Sequence, residues 1–188
     1  MQPEQLPRPA IRPYPAQYVW EWKLKDGTLA TIRPIRPEDE PLMVQFHATL
    51  SERSVYLRYF GSLSLSTRVE HERLVRICSG SYDGGFALVV DRANAETGQH
   101  EVLGIGRISA IIREEAEVAV LVSDRWQGRG LGAQLLARVV WVAREEKFQK
   151  LSAEILRDNL ATQVIFKKAG FKLRAMEDPS SVSATLEL

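Results

Sequence analysis

The stretch VAVLVSDRWQGRGLG, residues 118 to 132, combines a strand, a polar turn and the start of a helix. Residues 118–122 are a continuous apolar run rich in valine, which is typical of a strand covered on both faces. From Leu131 the apolar residues fall at 131, 135, 136, 139, 140 and 143, which is the spacing of one helix face. The stretch therefore predicts a buried strand joined to a long helix by a glycine-rich turn.

Three glycines, Gly128, Gly130 and Gly132, lie at this junction. Because they carry no side chain, a ligand can approach the backbone closely. The first N–H groups of a helix have no internal acceptors, and the helix dipole places partial positive charge at that end. Such a turn binds phosphate, and Arg129 can add a cation beside the amides. The turn is therefore predicted to hold a pyrophosphate.

Two other interpretations of the same turn remain. Gly128-x-Gly130-x-x-Ala133 matches a loose dinucleotide fingerprint, with Glu154 about 20 residues further on as that fingerprint requires. In that fold, however, the glycines follow the strand almost at once and the unit usually opens the domain, whereas here residues 123–127 intervene and a long segment precedes. A helix start that is rich in glycine only for packing is the second alternative.

Composition indicates one ordinary domain, or one domain with an arm. The 188 residues are 45% hydrophobic and 26% charged, with a net charge of +1 that gives no pull toward nucleic acid or membrane. No apolar run approaches the roughly 20 residues that cross a bilayer. Cys78 is the only cysteine, and the three histidines lack metal-ligand spacing. We therefore expect a cytoplasmic protein without a metal site.

The order of predicted elements gives the fold class, α+β. Residues 1–17 form a proline-rich arm or linker, and residues 18–188 form the domain. The predicted elements are a hairpin over 18–33 turning at Asp26-Gly27, helices to Cys78, strands over 86–91, 101–112 and 118–122, the long helix, a strand over 150–156, a helix over 159–169 and strands over 171–176 and 182–188. The helix that separates the strands at 118–122 and 150–156 makes this pair parallel.

Local signals predict where several helices begin and end. Ser51 is predicted to cap a short helix that runs to Tyr59, and Thr67-x-x-Glu70 has the spacing of a capping box for a helix that runs to Cys78. Asp158 is predicted to cap the helix over 159–169, which Gly170 closes.

The motif Gln127-x-x-Gly130-x-Gly132, the element order and Asn159…Gly170-Phe171 resemble the Gcn5-related N-acetyltransferase (GNAT) superfamily over about residues 18–188. The runs Ile32-Arg33-Pro34-Ile35-Arg36-Pro37-Glu38-Asp39 and Tyr56-Leu57-Arg58-Tyr59-Phe60 are similar to the acetyltransferase domain of bacterial Pat-type protein lysine acetyltransferases. That domain is often fused to an acyl-CoA synthetase-like region, and Ile11-Arg12-Pro13-Tyr14-Pro15 resembles the linker. The chain is thus expected to be a standalone relative or an excised domain.

The resemblance implies a GNAT fold: a mostly antiparallel sheet with helices on both faces and one parallel pair splayed at an acetyl-CoA site. It implies that backbone groups of Leu121 and Val122 bind the pantetheine arm, and that Asn159 contacts it. The helix that carries Phe166 would wall the thiol end. The backbone N–H groups implied to bind the pyrophosphate are those of Gln127, Gly128, Arg129, Gly130, Leu131 and Gly132.

Transfer of an acetyl group to an amine needs a base, because a free lysine with a pKa of ~10.4 is almost wholly protonated at neutral pH. Glu117 is the candidate, since it heads an apolar strand where partial burial would raise its pKa, and it falls where the resembling enzymes place a catalytic glutamate. Glu115 is the second candidate, and a merely solvated acid is the alternative. The family implies an oxyanion donor among the N–H groups near Leu121, and Phe166 stands where many relatives have a tyrosine acid.

Three functions fit this sequence: acetyl-CoA-dependent acetylation of a protein lysine, for example on an acyl-CoA synthetase; acetylation of a small amine; or a non-catalytic acetyl-CoA sensor. The segment 51–60 either lines the acceptor groove or is simply a capped amphipathic helix. Lysines at 147, 150, 167, 168 and 172 are near the expected place of the nucleotide 3′-phosphate or are solvated. The acceptor itself is not encoded by any motif, because acceptor grooves are built from variable loops.

Overall fold

The computed structural model describes residues 13–79, 85–112 and 114–188. Most of the expected proline-rich arm, with the start of the linker-like run, lies outside these residues. None of the described helices is long and apolar enough to cross a bilayer. The strands are β1 (Trp20–Lys23), β2 (Leu29–Pro34), β3 (Gly85–Ala93), β4 (His100–Ile112), β5 (Glu115–Val122), β6 (Lys150–Leu156), β7 (Lys172–Ala175) and β8 (Ser181–Glu187). The α-helices are α1 (Glu40–Ala48), α2 (Glu52–Tyr59), α3 (Leu65–Arg68), α4 (His71–Cys78), α5 (Leu131–Glu145) and α6 (Leu160–Lys168).

The eight strands form one sheet in the order β1-β2-β3-β4-β5-β6-β8-β7. Only β5 and β6 run parallel, and the other neighbours are antiparallel. The fold class and the parallel pair predicted from the crossover helix are thereby confirmed. The hairpin at Asp26-Gly27 is confirmed too, with Gly27 at a φ of 88° in the turn.

Helices cover both faces of the sheet. On one face α5 and α6 bury a core that contains Leu135, Val139 and Phe166 together with strand residues such as Val118. On the other face α1, α2 and α4 bury a second core around Met43 and Phe46, which also contains Leu121. Because successive strand residues point to opposite faces, β5 contributes to both cores.

Gly106 in β4 allows α5 to pack directly against the sheet. A Cβ atom added there would lie 2.6 Å from Val139 Cγ2 and 3.1 Å from Leu135 Cγ. The bare backbone of Gly106 therefore lets a helix approach the sheet closely. A bulge is present as well: Val90 pairs with Gly104, but the next residue, Asp91, pairs with Val102.

A buried ion-pair group fixes the start of α1 to the sheet. Two N–H groups of Arg33 in β2 donate to Asp39, from Nη1 to Oδ2 at 2.7 Å and from Nη2 to Oδ1 at 2.8 Å. A third donates from Nε to Asp91 Oδ2 at 2.9 Å. All three side chains are less than 10% exposed. Removing either the cation or a carboxylate would destabilise the protein, because the remaining charge would be buried without a partner. The run Ile32 to Asp39 thus has a structural reason for its charges.

Two predicted helix caps are wrong. The Thr67-x-x-Glu70 segment is broken into two helices: Ser64 Oγ accepts the Thr67 N–H at 3.2 Å to cap α3, and Glu70 begins α4 without a side-chain cap. Asp158 does not cap α6, because its carboxylate pairs with Arg53 at 2.8 Å. Asn159 takes that place.

The other end signals are confirmed. Ser51 Oγ accepts the N–H of Ser54 at 3.2 Å and so caps α2. Gly170 follows α6 at a φ of 95°, the left-handed conformation expected of a C′ glycine.

Replacing Gly106 by Ala will destabilise the domain by about 1–3 kcal/mol, because the added methyl group overpacks the contact with Val139. Chemical denaturation of the purified protein measures this loss. Gly61→Ala is the control, since nothing lies within 4 Å of its added Cβ. Equal stability of the two variants would contradict the packing described here.

His47 makes stability depend on pH. It is 2% exposed, its two ring nitrogens have no hydrogen-bond partner among the described residues, and burial, followed by repulsion from Arg68 and Arg73, lowers its pKa to about 4. The unfolded chain, with a pKa near 6.5, binds the proton first as pH falls. Stability is therefore lost between pH 6.5 and 4, by up to about 3 kcal/mol. His47→Leu will flatten this part of the stability–pH curve, and an unchanged slope in denaturation series would contradict the assignment.

Candidate active site

A cleft opens where β5 and β6 separate. The two strands pair at only three positions, Glu115 with Lys150, Ala116 with Leu151 and Glu117 with Ser152. Beyond Glu117 they diverge around a cleft of about 410 Å³. The expected site residues that line it are Glu117, Leu121, Val122, Gln127, Gly128, Gly130, Leu131, Gly132, Asn159 and Phe166. Sequence reasoning thus selected residues that share one cavity.

The glycine-rich turn presents unused amides at the end of this cleft. Gly128 and Gly130 have φ values of 72° and 88°, a region that side chains disfavour. The first backbone bond of α5 at this end is donated by Gln134 to the carbonyl of Gly130, at 3.1 Å. The amides of residues 131–133 therefore precede the hydrogen-bonded ladder, and they carry the positive end of a 15-residue helix. This geometry suits an anion.

Asp124 anchors the turn to α2. Its carboxylate accepts the Ser51 N–H at 3.0 Å, the Ser51 hydroxyl at 2.6 Å and the Ser54 hydroxyl at 3.0 Å. Partial burial raises the pKa of Asp124, but the hydrogen bonds from Ser51 and Ser54 outweigh it, so its pKa lies below the usual value. Asp124 was not selected from the sequence. The only signal was a polar pair, Ser123-Asp124, placed directly after an apolar strand.

The side chain of Gln127 continues this connection. Its Nε2 donates to Ser54 Oγ at 3.0 Å and to the carbonyl of Val122 at 3.1 Å. The glutamine thus holds the turn against both α2 and the end of β5. One backbone group expected to bind pantetheine, the Val122 carbonyl, is already satisfied by this bond, and the Val122 N–H is left for a ligand.

The alternation of the β4–β5 ladder decides which amides of β5 face the cleft. The Ser123 N–H donates to the carbonyl of Leu103 at 2.9 Å, and Leu121 lies opposite Ile105 in the same register. In an antiparallel pair, residues alternate between bonding to the partner and facing away from it. Leu121 therefore bonds to β4, whereas the backbone of Val120 and Val122 faces β6. The expectation that backbone groups of Leu121 face the ligand conflicts with this register.

Glu117 lies at the other end of the cleft and is exposed. The partial burial expected from its place in an apolar strand is not found, because the strands begin to separate at this residue. Ala119 and Val120 are also only half-buried. The prediction of a strand covered on both faces is therefore wrong for this part of β5. Glu115 is engaged elsewhere, with Oε1 at 3.2 Å from Lys150 Nζ, and does not line the cleft.

The far wall of the cleft comes from α6. Asn159 Oδ1 accepts the Thr162 N–H at 3.2 Å, so its side chain caps the helix. Phe166 is 1% exposed, and its ring centroid lies 4.8 Å from that of Phe171. The residue that stands where relatives carry a tyrosine is therefore packed in the core, and it brings no proton donor to the cleft.

The side chain of Arg129 does not line the cleft, although its backbone belongs to the glycine-rich turn. Its Nη1 lies 2.6 Å from Asp26 Oδ2 in the β1–β2 turn, and its guanidinium carbon stacks 4.7 Å from the Trp126 ring centroid. The expected cation beside the phosphate-binding amides is therefore paired with a carboxylate in this structure.

The fold and the cleft together give a mixed sheet with an open strand edge that leads to a helix start suited to phosphate. The family model described as an acetyltransferase (GNAT) domain matches residues 30–172. The chain therefore belongs to the GNAT acetyltransferase family and is an N-acetyltransferase by that membership.

Named relatives agree with this membership. The chain is 30% identical to acetyltransferase PA5475 of Pseudomonas aeruginosa over 153 residues, which is 81% of this chain and 80% of that protein. It is 28% identical over 165 residues to acetyltransferase Pat of Mycolicibacterium smegmatis, covering 85% of this chain but only 44% of that protein. The crystal structure of the GNAT domain of S. lividans PAT superposes with a TM-score of 0.81 at 28% identity, covering 94% of this chain and all of that domain.

Asp124→Ala will weaken the binding of coenzyme A by about tenfold, because it leaves donors of Ser51 and Ser54 without their acceptor and releases the turn from α2. Isothermal calorimetry with coenzyme A measures the change. Asp178→Ala is the control, since that exposed carboxylate bonds to Ser180 in a remote turn. Unchanged affinity in Asp124→Ala would show that the network does not support the ligand site.

Proposed function

We propose that the chain transfers the acetyl group of acetyl-CoA to a lysine side chain of a protein, by direct attack of the amine on the thioester. The observation that carries the proposal is the single cleft that joins Glu117, the open edge of β5 and the amides of the glycine-rich turn. A cosubstrate with a diphosphate at one end and a thioester at the other fits such a cleft. Membership of the GNAT family supports acetyl-CoA as that cosubstrate.

In this proposal the diphosphate lies on the amides of residues 128–132, at the positive end of α5. The pantetheine arm extends along β5 as an added strand and bonds to the backbone of Val120 and to the N–H of Val122, which face the gap. Asn159 and Phe166 of the opposite wall confine the arm and the thioester. From Glu117 to Val122 the strand spans ~17 Å, at ~3.4 Å per residue, so the thioester lies well away from the phosphates.

In the proposed acetyl transfer, two groups of the chain take part directly. Glu117 takes a proton from the acceptor ammonium, and the free amine nitrogen forms a bond to the carbonyl carbon. The N–H of Val120 stabilises the oxygen as it gains negative charge. The carbon–sulfur bond then breaks, coenzyme A leaves as a thiolate, and the extra proton on the new amide nitrogen passes to that thiolate. Because a thiol has a pKa near ~8.5, the thiolate leaves without an acid, which is consistent with Phe166 in place of a tyrosine.

The likeness to the GNAT domain of S. lividans PAT supports a protein lysine as the acceptor. An acyl-CoA synthetase is the candidate acceptor or fusion partner. A small amine is the second candidate, because the cleft beside Glu117 is open to solvent and a small molecule needs no docking surface.

Glu117→Gln will lower kcat/KM for acetyl transfer by about 100- to 10,000-fold, since the amide cannot accept the proton. The dissociation constant of acetyl-CoA will stay within about twofold, because Glu117 does not face the diphosphate site. A thiol-release assay with an acyl-CoA synthetase as acceptor, together with calorimetry, checks both values.

Glu115→Gln is the matched control, since Glu115 lies two residues away on the same strand and pairs with Lys150. Full activity of the Glu117→Gln enzyme, or an equal loss in both variants, would contradict the assignment of the base. Transfer to polyamines but to no protein would select the small amine.

A further inference from the structure

Three arginines lie on the side of the sheet from which Glu117 projects; we call Arg58, Arg73 and Arg107 the arginine group. Arg107 of β4 lies opposite Ala119, and Ser109 lies opposite Glu117, so Arg107 and Glu117 project from the same face of the sheet. That face is covered by α2, which carries Arg58, and by α4, which carries Arg73. Arg58 lines the cleft together with Glu117.

Two members of the arginine group, Arg58 and Arg73, contact the same aromatic ring. The guanidinium carbons of Arg58 and Arg73 lie 5.2 and 5.4 Å from the ring centroid of Tyr59. Arg107 is repelled by both of these cations and attracted by Glu117. Burial first, and then repulsion from Arg58, lowers the pKa of Arg107. Three like charges are therefore held close together on the same side of the sheet as Glu117.

Among the described residues, no carboxylate lies within ion-pair distance of the arginine group. Arg73 Nε is buried and has no hydrogen-bond partner there. Arg68, which lies on the neighbouring helix, differs: it donates to the carbonyl of His47 at 2.8 Å and of Leu63 at 3.1 Å. The three side chains are partly exposed. A guanidinium that is partly withdrawn from water and has no acceptor is incompletely satisfied, so an anion would stabilise the arginine group.

The phosphates of the cosubstrate are not that anion. In the proposed function they lie at the start of α5, beyond the far end of β5, about 17 Å or more from Glu117 at ~3.4 Å per residue. The anion must therefore arrive with the acceptor. A guanidinium presents two parallel N–H donors that match a carboxylate, which favours an acidic group.

We propose that the arginine group binds a carboxylate of the acceptor, so that the enzyme selects lysines that have aspartate or glutamate beside them. This inference rests on the proposed transfer to a protein lysine. It assigns Arg58, Arg73 and Arg107 as specificity-determining residues, which hold the acceptor chain while Glu117 takes the proton.

Matched lysine peptides test the inference. One set carries Glu or Asp on either side of the lysine, and the other carries Gln or Asn at the same positions. The wild-type enzyme will acetylate the acidic set with a kcat/KM about 10- to 100-fold higher, the value expected for charged hydrogen bonds. The preference will shrink as salt is raised.

Arg58→Gln and Arg107→Gln will each reduce the preference to about threefold or less, mainly through a higher KM for the acidic peptides, and Arg107→Lys will restore part of it. Arg58→Glu will reverse the preference toward peptides with basic neighbours. Arg144→Gln is the control, since this exposed arginine lies on α5, across the sheet. Thermal unfolding and the dissociation constant of coenzyme A report whether each variant is folded.

Equal rates for acidic and neutral peptides in the wild-type enzyme would overturn the inference and leave the proposed function standing. An unchanged preference in folded Arg58→Gln and Arg107→Gln, or an equal loss in Arg144→Gln, would overturn it as well. If no lysine peptide or protein is acetylated while coenzyme A still binds, the proposed function fails, and the inference fails with it. The pair 6-aminohexanoate and hexylamine extends the comparison to small acceptors, where a preference for the carboxylate would support the arginine group as an anion site.

Discussion

The separation of β5 from β6 after three paired residues is the constraint on which the site depends. A strand in the middle of a sheet normally satisfies its backbone groups on both sides. Here the backbones of Val120 and Val122 face β6 where it has diverged from β5, and the Val122 carbonyl accepts a hydrogen bond from the side chain of Gln127 instead. The remaining groups form an edge inside the sheet, which an extended ligand can complete in the same way as an added strand.

The fold keeps this gap open from both sides. On one face, α5 is held against the sheet by the bare backbone of Gly106, and its start delivers the amides of the glycine-rich turn. On the other face, Asp124 fastens that turn to the capped start of α2. The two helices therefore fix the ends of a cleft that neither forms alone. Because α2 also carries Arg58, the element that anchors the glycine-rich turn also lines the cleft.

The sequence is sufficient to predict features that depend on local chemistry. The strand at the apolar run before the glycines, the Asp26-Gly27 turn, the Ser51 cap and the Gly170 stop are confirmed, since each follows from the conformational preferences of nearby residues. The caps at Thr67 and Asp158 are wrong because tertiary partners compete: Ser64 caps an earlier turn, and Arg53 takes the Asp158 carboxylate. The direction of the Leu121 backbone depends on pairing with β4, which no local pattern encodes. The arginine group gathers residues from three separate elements, and so it is visible only in the folded chain.

Amide hydrogen exchange of β5, read by NMR with and without acetyl-CoA, tests the central claim most directly. The account predicts that the amides of Val120 and Val122 exchange rapidly in the free protein and are strongly slowed by the cosubstrate. The amides of Ala119 and Leu121, which bond to β4, are expected to be protected in both states. Protection of Val120 and Val122 without ligand, or no change when acetyl-CoA binds, would contradict the open strand edge from which the proposed site is built.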